Sequence, residues 1–167
     1  MSGLHTVWLP GERCHAIRGG LSLLVCGLRT LDAKKVQERI SELIEWYGFR
    51  VRTVIHGGQH GKHPELGIDL GADFGASCWA LENDIRQFKV PAEWDKHGKA
   101  AGPIRNQEML ELHFPDLILA FWDGKSKGTG DMVRRAMKFG TPVLIEPAEG
   151  LEPDTPSAPP HLSGVAS

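Results

Sequence analysis

The stretch from residue 115 to 137 constrains the fold more than any other part of the chain. It opens with an uninterrupted apolar run, Leu117-Ile118-Leu119-Ala120-Phe121-Trp122, the pattern of a strand buried on both faces. A loop of small and basic residues follows, Gly124-Lys125-Ser126-Lys127-Gly128-Thr129. The period then changes. Val133, Ala136, Met137 and Gly140 recur at helical spacing on one face. Thr129 is placed to cap that helix, and Asp131, read as first-turn, suits the helix dipole. A buried strand feeding a glycine-rich loop and a helix N-terminus is an anion-binding arrangement. Free backbone N–H groups converge there, glycine admits close approach, and lysines add positive charge. The competing reading is an ordinary strand-to-helix turn with two solvated lysines.

The same alternation of periods runs through the rest of the chain. Residues 21–26 form an apolar strand ending at Gly27. Residues 32–47 read as a helix with a stripe of Val36, Ile40, Leu43, Ile44 and Tyr47, stopped by Gly48. A β-branched strand, 51–55, runs into His56-Gly57-Gly58. The long loop 59–71 is expected to border whatever cleft those glycines open on. A helix over 72–83, a weaker strand over 85–90 and an irregular stretch over 91–101 follow. Pro103 then suits the N1 position of a helix ending at His113. A last strand spans 142–146. Four strand–helix crossovers require a mainly parallel sheet covered on both sides. The expected fold is therefore α/β, a Rossmann-like three-layer sandwich with a mainly parallel five-stranded sheet and helices on both faces. It occupies 21–147. Residues 1–20 are an N-terminal extension in which 5–9 could add a short strand. Dense prolines predict a disordered tail over 148–167.

Ligands of such sheets bind at the carboxyl ends of the strands. The unusual residues gather there: Gly27 and Arg29, then His56, Gly57 and Gly58, then residues 91–106, then 122–130. Several familiar motifs are missing. G-x-G-x-x-G does not follow the first strand, and Leu119 stands where a Walker A loop would need its first glycine. No cofactor is predicted. His56, His60 and His63, with Asp69 or Asp73, match no strong zinc spacing, so they read as solvated loop histidines and no metal is expected. Glu93 and His97 are possible acid–base groups.

Composition narrows the partners. A formal net charge of -2 over 167 residues gives no global pull towards nucleic acid or anionic membrane. No apolar stretch approaches the roughly 20 residues of a membrane span, and no secretory leader pattern opens the chain, so a cytoplasmic protein is expected. Cys14, Cys26 and Cys78 are far apart and form no C-x-x-C, which predicts reduced, mostly buried thiols.

Six blocks occur in one order over residues 22–146: Cys-Gly-Leu-Arg, Ile-His-Gly-Gly, Gly71-Ala72-Asp73 with Trp79-Ala80, Ala92-Glu93-Trp94 with His97-Gly98, Ala101-Gly102-Pro103-Ile104-Arg105-Asn106 with Met109, and residues 121–129. In this the chain resembles the YspA-related branch of the SLOG superfamily. That Rossmann-like group includes the LOG phosphoribohydrolases and the DNA-processing protein DprA, and the branch is common in bacteria and phages. The resemblance implies a site for a nucleotide or nucleotide-derived molecule at the strand ends, with Gly57, Gly58, Arg105, Gly128 and Thr129 lining it. Read from the residues, Arg105 in the first turn of a helix can grip a phosphate bidentately, or instead pair with Glu108 or Asp131. Asn106 can read a ribose or base, or tie down a neighbouring loop. Gly27, Arg29, Asp73, Gly124, Lys125 and Ser126 complete the expected ligand-binding set.

The chain departs from the resemblance in two places. Twelve residues separate Gly58 from Gly71, more than short members carry. LOG enzymes resemble P-G-G-x-G-T-x-x-E in the last loop, and the position of the glutamate that assists N-glycosidic cleavage is here Met132. Asp131 lies one residue earlier, about 100° around the helix. The expected function is therefore binding, by sensing or sequestration, of a nucleotide-derived molecule in a phage or prophage setting. The alternative is LOG-like hydrolysis of an N-glycosidic bond, with Asp131, Glu93 or Asp73 as the acid–base group. DprA-like binding of single-stranded DNA ranks below both, because it needs a basic groove with stacking aromatics. The resemblance to LOG proteins also implies a homodimer.

Overall fold

The computed structural model describes residues 6–8 and 19–154. In chain order the elements are β1 (Thr6–Trp8), β2 (Leu21–Gly27), α1 (Ala33–Tyr47), β3 (Val51–His56), β4 (Gly61–Lys62) and β5 (Asp69–Leu70). Then come α2 (Ala72–Glu82), β6 (Arg86–Lys89), α3 (Trp94–His97), α4 (Ala101–His113), β7 (Leu117–Trp122), α5 (Lys127–Phe139) and β8 (Val143–Pro147). One turn of 3-10 helix, Gly98–Ala100, joins α3 to α4.

The main sheet has the order β1-β8-β7-β2-β3-β6. β8, β7, β2, β3 and β6 are parallel, and β1 adds an antiparallel edge against β8. The five-stranded parallel sheet thus gains a sixth strand from the N-terminal extension. From β2 the chain winds outward through β3 to β6. It then crosses back to β7, on the other side of β2, and winds outward to β8. The winding reverses between β2 and β7, and this reversal opens a crevice at the carboxyl ends of those strands.

Both faces of the sheet are covered. Leu23, Val25, Leu117, Leu119 and Phe121 pack with Val36 and Ile40 of α1 and Ala76 and Trp79 of α2. Leu24, Ile118 and Ala120 point the other way, into Met109 and Leu110 of α4 and Met132, Val133 and Ala136 of α5. This is why β7 reads as an unbroken apolar run and β2 as one interrupted only by Ser22: neither alternate set meets water. α1 is bounded as its sequence directs. Asp32 Oδ1 accepts from Lys35 N at 2.9 Å, and Gly48 closes the helix in the left-handed conformation, φ 68°.

The structure corrects several boundaries. The long loop 59–71 is not structureless, because β4 and β5 pair antiparallel as a small hairpin. The stretch 91–101 contains α3 and the 3-10 turn, and α4 starts at Ala101. Pro103 is therefore its third residue, not N1, a position whose N–H needs no helical partner either. α5 starts at Lys127 with Ser126 before it, so Thr129 lies inside the first turn instead of capping it, and Asp131 lies past that turn. The domain does not stop at 147. Ala148 and Leu151 are buried in the core, Asp32 N donates to Leu151 O at 2.8 Å, and Lys35 Nζ reaches Glu152 O and Asp154 Oδ1. The tail expected to be disordered from 148 is thus packed through this stretch, where two apolar side chains outweigh the local prolines. Residues 155–167, most of the N-terminal extension and Cys14 lie outside the described residues. Cys26 and Cys78 are free and half-buried. Among the described residues, no helix is long and apolar enough to cross a membrane.

Candidate functional site

The crevice between β2 and β7 is a cleft of about 330 Å³. That lies at the small end of the ~300–1,000 Å³ typical of small-molecule sites. Its floor is the end of β2, Cys26-Gly27, followed by Leu28 and Arg29. Gly57 and Gln59 enter from the end of β3, and Asp73 from α2. Arg105, Asn106 and Met109 of α4 form one wall, and Ser126 with Gly128, Thr129 and Met132 of the α5 it precedes form another. Gly27 is forced by crowding: a Cβ there would lie 2.6 Å from Phe121 O and 2.8 Å from Ala72 Cβ.

Arg105 is the fifth residue of α4, past the first turn where it was expected because the helix starts at Ala101, and it bridges the cleft. Its Nη1 donates to Gly57 O at 3.1 Å and to Val90 O at 3.4 Å, and its Nε donates to Asn106 Oδ1 at 3.1 Å. The expected alternative partners, Glu108 and Asp131, are not used. None of the hydrogen bonds among the described residues involves Arg105 Nη2, so that nitrogen keeps its donors. Burial pulls the pKa of the guanidinium down, while Asp73 pulls it back up. A Cβ on Gly57 would overlap Arg105 Nη1 and lie 3.0 Å from Asp73 Oδ2, so a bare glycine lets both side chains close over this backbone.

Asp73 is 7% exposed, in the first turn of α2. Its Oδ2 accepts from Gln59 N at 2.9 Å. Burial raises its carboxyl above the usual range, although that hydrogen bond and the charges of Arg105, His56 and Arg29 oppose the rise. Arg29 is exposed at the rim, and its Nη2 donates to Gln59 Oε1 at 2.6 Å. Gln59 Nε2 is buried without a hydrogen-bond partner.

The N-terminus of α5 is open. Ser126 makes no side-chain cap, and the first helical bond is Gly130 N to Ser126 O at 3.0 Å. The N–H groups of Lys127, Gly128 and Thr129 therefore have no partner among the described residues. Nothing lies within 4 Å of the space a Gly128 side chain would fill. The preceding loop is shaped by Asp123, whose Oδ1 accepts from Lys125 N at 2.9 Å and Ser126 N at 2.8 Å. Those two bonds hold its carboxyl below the usual range.

Asn106 ties the two walls together. It is 4% exposed, and its Nδ2 donates to Gly128 O at 3.3 Å and to Asp131 Oδ2 at 3.0 Å. Its amide is spent on the protein, so it positions the loop and does not read a base. Asp131 also accepts from Arg135 Nε at 2.8 Å, and it lies outside the cleft. The fully buried Met132 faces the cleft in its place. Glu93 is 63% exposed, pairs with Lys96 and His97, and also lies off the cleft. Asp73 is the one carboxylate among the cleft-lining residues.

Of the expected ligand-binding residues, the cleft gathers Gly27, Arg29, Gly57, Asp73, Arg105, Asn106, Ser126, Gly128 and Thr129. Gly58, Gly124 and Lys125 are not on its walls. Gly58 packs against the Lys89 side chain, and Gly124 turns the loop at φ 76°. Cys26, Leu28, Gln59, Met109 and Met132 are additions. Burial and the Asp73 charge push the Cys26 thiol up, away from nucleophilic use. The histidines are not a solvated set. His56 is 2% exposed, contacts Gln87 Oε1 at 2.9 Å and accepts from Gly58 N. His63 is 8% exposed and accepts from Leu66 N at 3.1 Å. Both act as internal turn ties, and only His60 stands at the surface. Among the described residues, no group of three or more His, Cys, Asp or Glu side chains is placed to hold a metal.

No family model matches the chain. The Gene 61 protein of Mycobacterium phage D29 is 38% identical to it over 97 residues, which cover 55% of this chain and 69% of the phage protein. The chain belongs to the family of that phage protein. Among solved structures, the phosphoribosylglycinamide formyltransferase (purN) of Coxiella burnetii, in complex with CHES, matches 69% of this chain at 14% identity with a TM-score of 0.37. The match spans 47% of the formyltransferase, less than half its length.

Proposed function

We propose that this protein binds a small phosphorylated molecule of the nucleotide class in the β2–β7 cleft, as a sensor or a sequestering protein. One observation carries the reading: the unpaired N–H groups of Gly128 and Thr129 at the start of α5 share one cleft with a half-buried arginine that keeps a free nitrogen. Helix N-termini attract anions through both the N–H groups and the dipole, and a guanidinium adds a charged fork. The position at the reversal of strand order, the volume and the resemblance to SLOG proteins all support a nucleotide-sized ligand. Binding is favoured over LOG-like N-glycosidic hydrolysis because α5 presents Met132 where that chemistry would need a carboxylate, Asp131 is held by Asn106 and Arg135, and Glu93 lies off the cleft, which leaves Asp73 of α2, itself tied to Gln59 N, as the one candidate carboxylate on the cleft. It is favoured over single-stranded DNA binding because no aromatic side chain lines the cleft.

The test is calorimetric titration of the full chain with nucleoside 5′-monophosphates, for the native protein and for Arg105→Ala. Loss of a charge-assisted hydrogen bond in a partly desolvated site costs about 1.5–3 kcal/mol, roughly ten- to hundredfold in affinity. Arg105 also holds two backbone carbonyls, so circular dichroism and a melting curve accompany the titration. A folded Arg105→Ala protein with native affinity, or a native protein that binds none of the monophosphates, overturns the reading. Release of free base during incubation would move the protein to the hydrolase alternative.

A further inference from the structure

The cleft asks for more than an anion. Asp73 is more than nine-tenths buried, and one of its two oxygens is used, by Gln59 N. No hydrogen bond among the described residues uses Oδ1, and the residue lines the cleft. A carboxylate is an acceptor only, so the group it meets must be a donor. Beside it, Gln59 Nε2 is a buried donor with no partner. Both groups belong to a site otherwise dominated by Arg105 and the α5 N-terminus. A bare anion would leave Asp73 facing like charge and would leave Gln59 unmatched.

We propose that Asp73 and Gln59 read a sugar hydroxyl beside the phosphate, so that the ligand is a ribose phosphate or ribonucleotide with a free 2′-hydroxyl. Two features select this chemistry. The donor is neutral, because Arg105 and Arg29 already flank Asp73 and would repel a cation. The donor also lies close to the phosphate group. Arg105 Nη1 and Asp73 Oδ2 both come within 3.0 Å of the point where a Gly57 Cβ would sit. The two side chains close over the same backbone, so a group bound by Asp73 lies beside the anion held by Arg105. The hydroxyl donates to Asp73 Oδ1 and its oxygen accepts from Gln59 Nε2, which gives the open carboxylate oxygen and the unpaired amide nitrogen one shared ligand atom.

This inference rests on the phosphate site proposed above, and the experiment separates the two. Ribose 5-phosphate, 2-deoxyribose 5-phosphate and inorganic phosphate are titrated into the native protein, Asp73→Asn and Gln59→Ala. The native protein should prefer ribose 5-phosphate over its 2-deoxy analogue by about tenfold or more. Asp73→Asn should lose most of that preference and bind inorganic phosphate more tightly, because a negative charge has left the cleft. Gln59→Ala should reduce the preference partially, and it reads the same subsite if Asp73→Asn does not fold. Equal affinities of the native protein for the two sugar phosphates would overturn the hydroxyl reading while leaving the phosphate site standing. An undiminished preference in both variants would do the same. A native protein that binds none of the three probes would remove both proposals.

Discussion

Gly57 shows how a single missing side chain organises the site. Its backbone is not in the left-handed region, so glycine is present for space and not for conformational freedom. A Cβ there would strike the end of the Arg105 side chain, whose Cζ lies at 2.6 Å. The end of a flexible chain can move, so Gly57→Ala should fold with a loss of no more than about 2 kcal/mol, the worth of the displaced hydrogen bonds. Affinity for a nucleoside monophosphate should fall ten- to hundredfold, because the guanidinium leaves Gly57 O and Val90 O. A melting curve and a calorimetric titration read the two effects separately, and native affinity in this variant would mean that Arg105 does not hold the ligand. Gly57, Asp73 and Arg105 were legible in the sequence because glycine, carboxylate and arginine at strand ends have few structural reasons to be there. Gln59 was not legible, since one glutamine in a thirteen-residue loop carries no pattern. Thr129 was misread because Asp123, four residues before the first helical residue, draws in Lys125 N and Ser126 N and starts the helix early.

Between α1 and α2, the contact is closer than helix propensity alone would recommend. Gly75 sits inside α2, where alanine would gain about 1 kcal/mol. A Cβ at that position would lie 2.6 Å from Val36 Cγ1, 2.7 Å from Val36 Cβ and 3.0 Å from Ala33 O. Valine is stiff at χ1 and Val36 is fully buried, so neither can step aside. Overpacking of this kind costs about 1–3 kcal/mol, which outweighs the propensity gain. Gly75→Ala should therefore lower stability by up to about 2 kcal/mol in urea denaturation, and adding Val36→Ala should recover part of the clash. A Gly75→Ala protein more stable than the native one would show that the helices do not pack this tightly. Elements with strong periodicity, such as α1 and β7, were readable because their buried stripe is long. β6 was weak because it is an edge strand, where exposed Arg86 and Lys89 guard the open side instead of filling a core. α3 left no signal, since four residues that bury nothing have no periodicity to show.

The order of the strands is a property of the whole molecule. Alternation of periods dictated a covered parallel sheet, but the reversal between β2 and β7, which places the cleft, depends on which neighbour each strand finds. The C-terminal segment is decided at the same scale. Local composition, with prolines at 147 and 153, reads as a tail, yet Leu151 is 4% exposed and joins the core formed by α1, α2 and the sheet. Its carbonyl also receives Asp32 N, the backbone of the residue that caps α1. The segment thus anchors the start of α1, next to the loop that carries Arg29 to the rim of the cleft. Leu151→Ala in the full chain should lower stability by about 2–3 kcal/mol, the lower part of the range for a buried leucine, because the site lies at the edge of the core and can partly close. Glu149→Ala, at an exposed neighbour, should leave it unchanged within about 0.5 kcal/mol. Urea denaturation of the two variants measures the difference. If Leu151→Ala were as stable as the native protein, the segment past β8 would be a loosely attached tail after all, and the domain would end with the sheet.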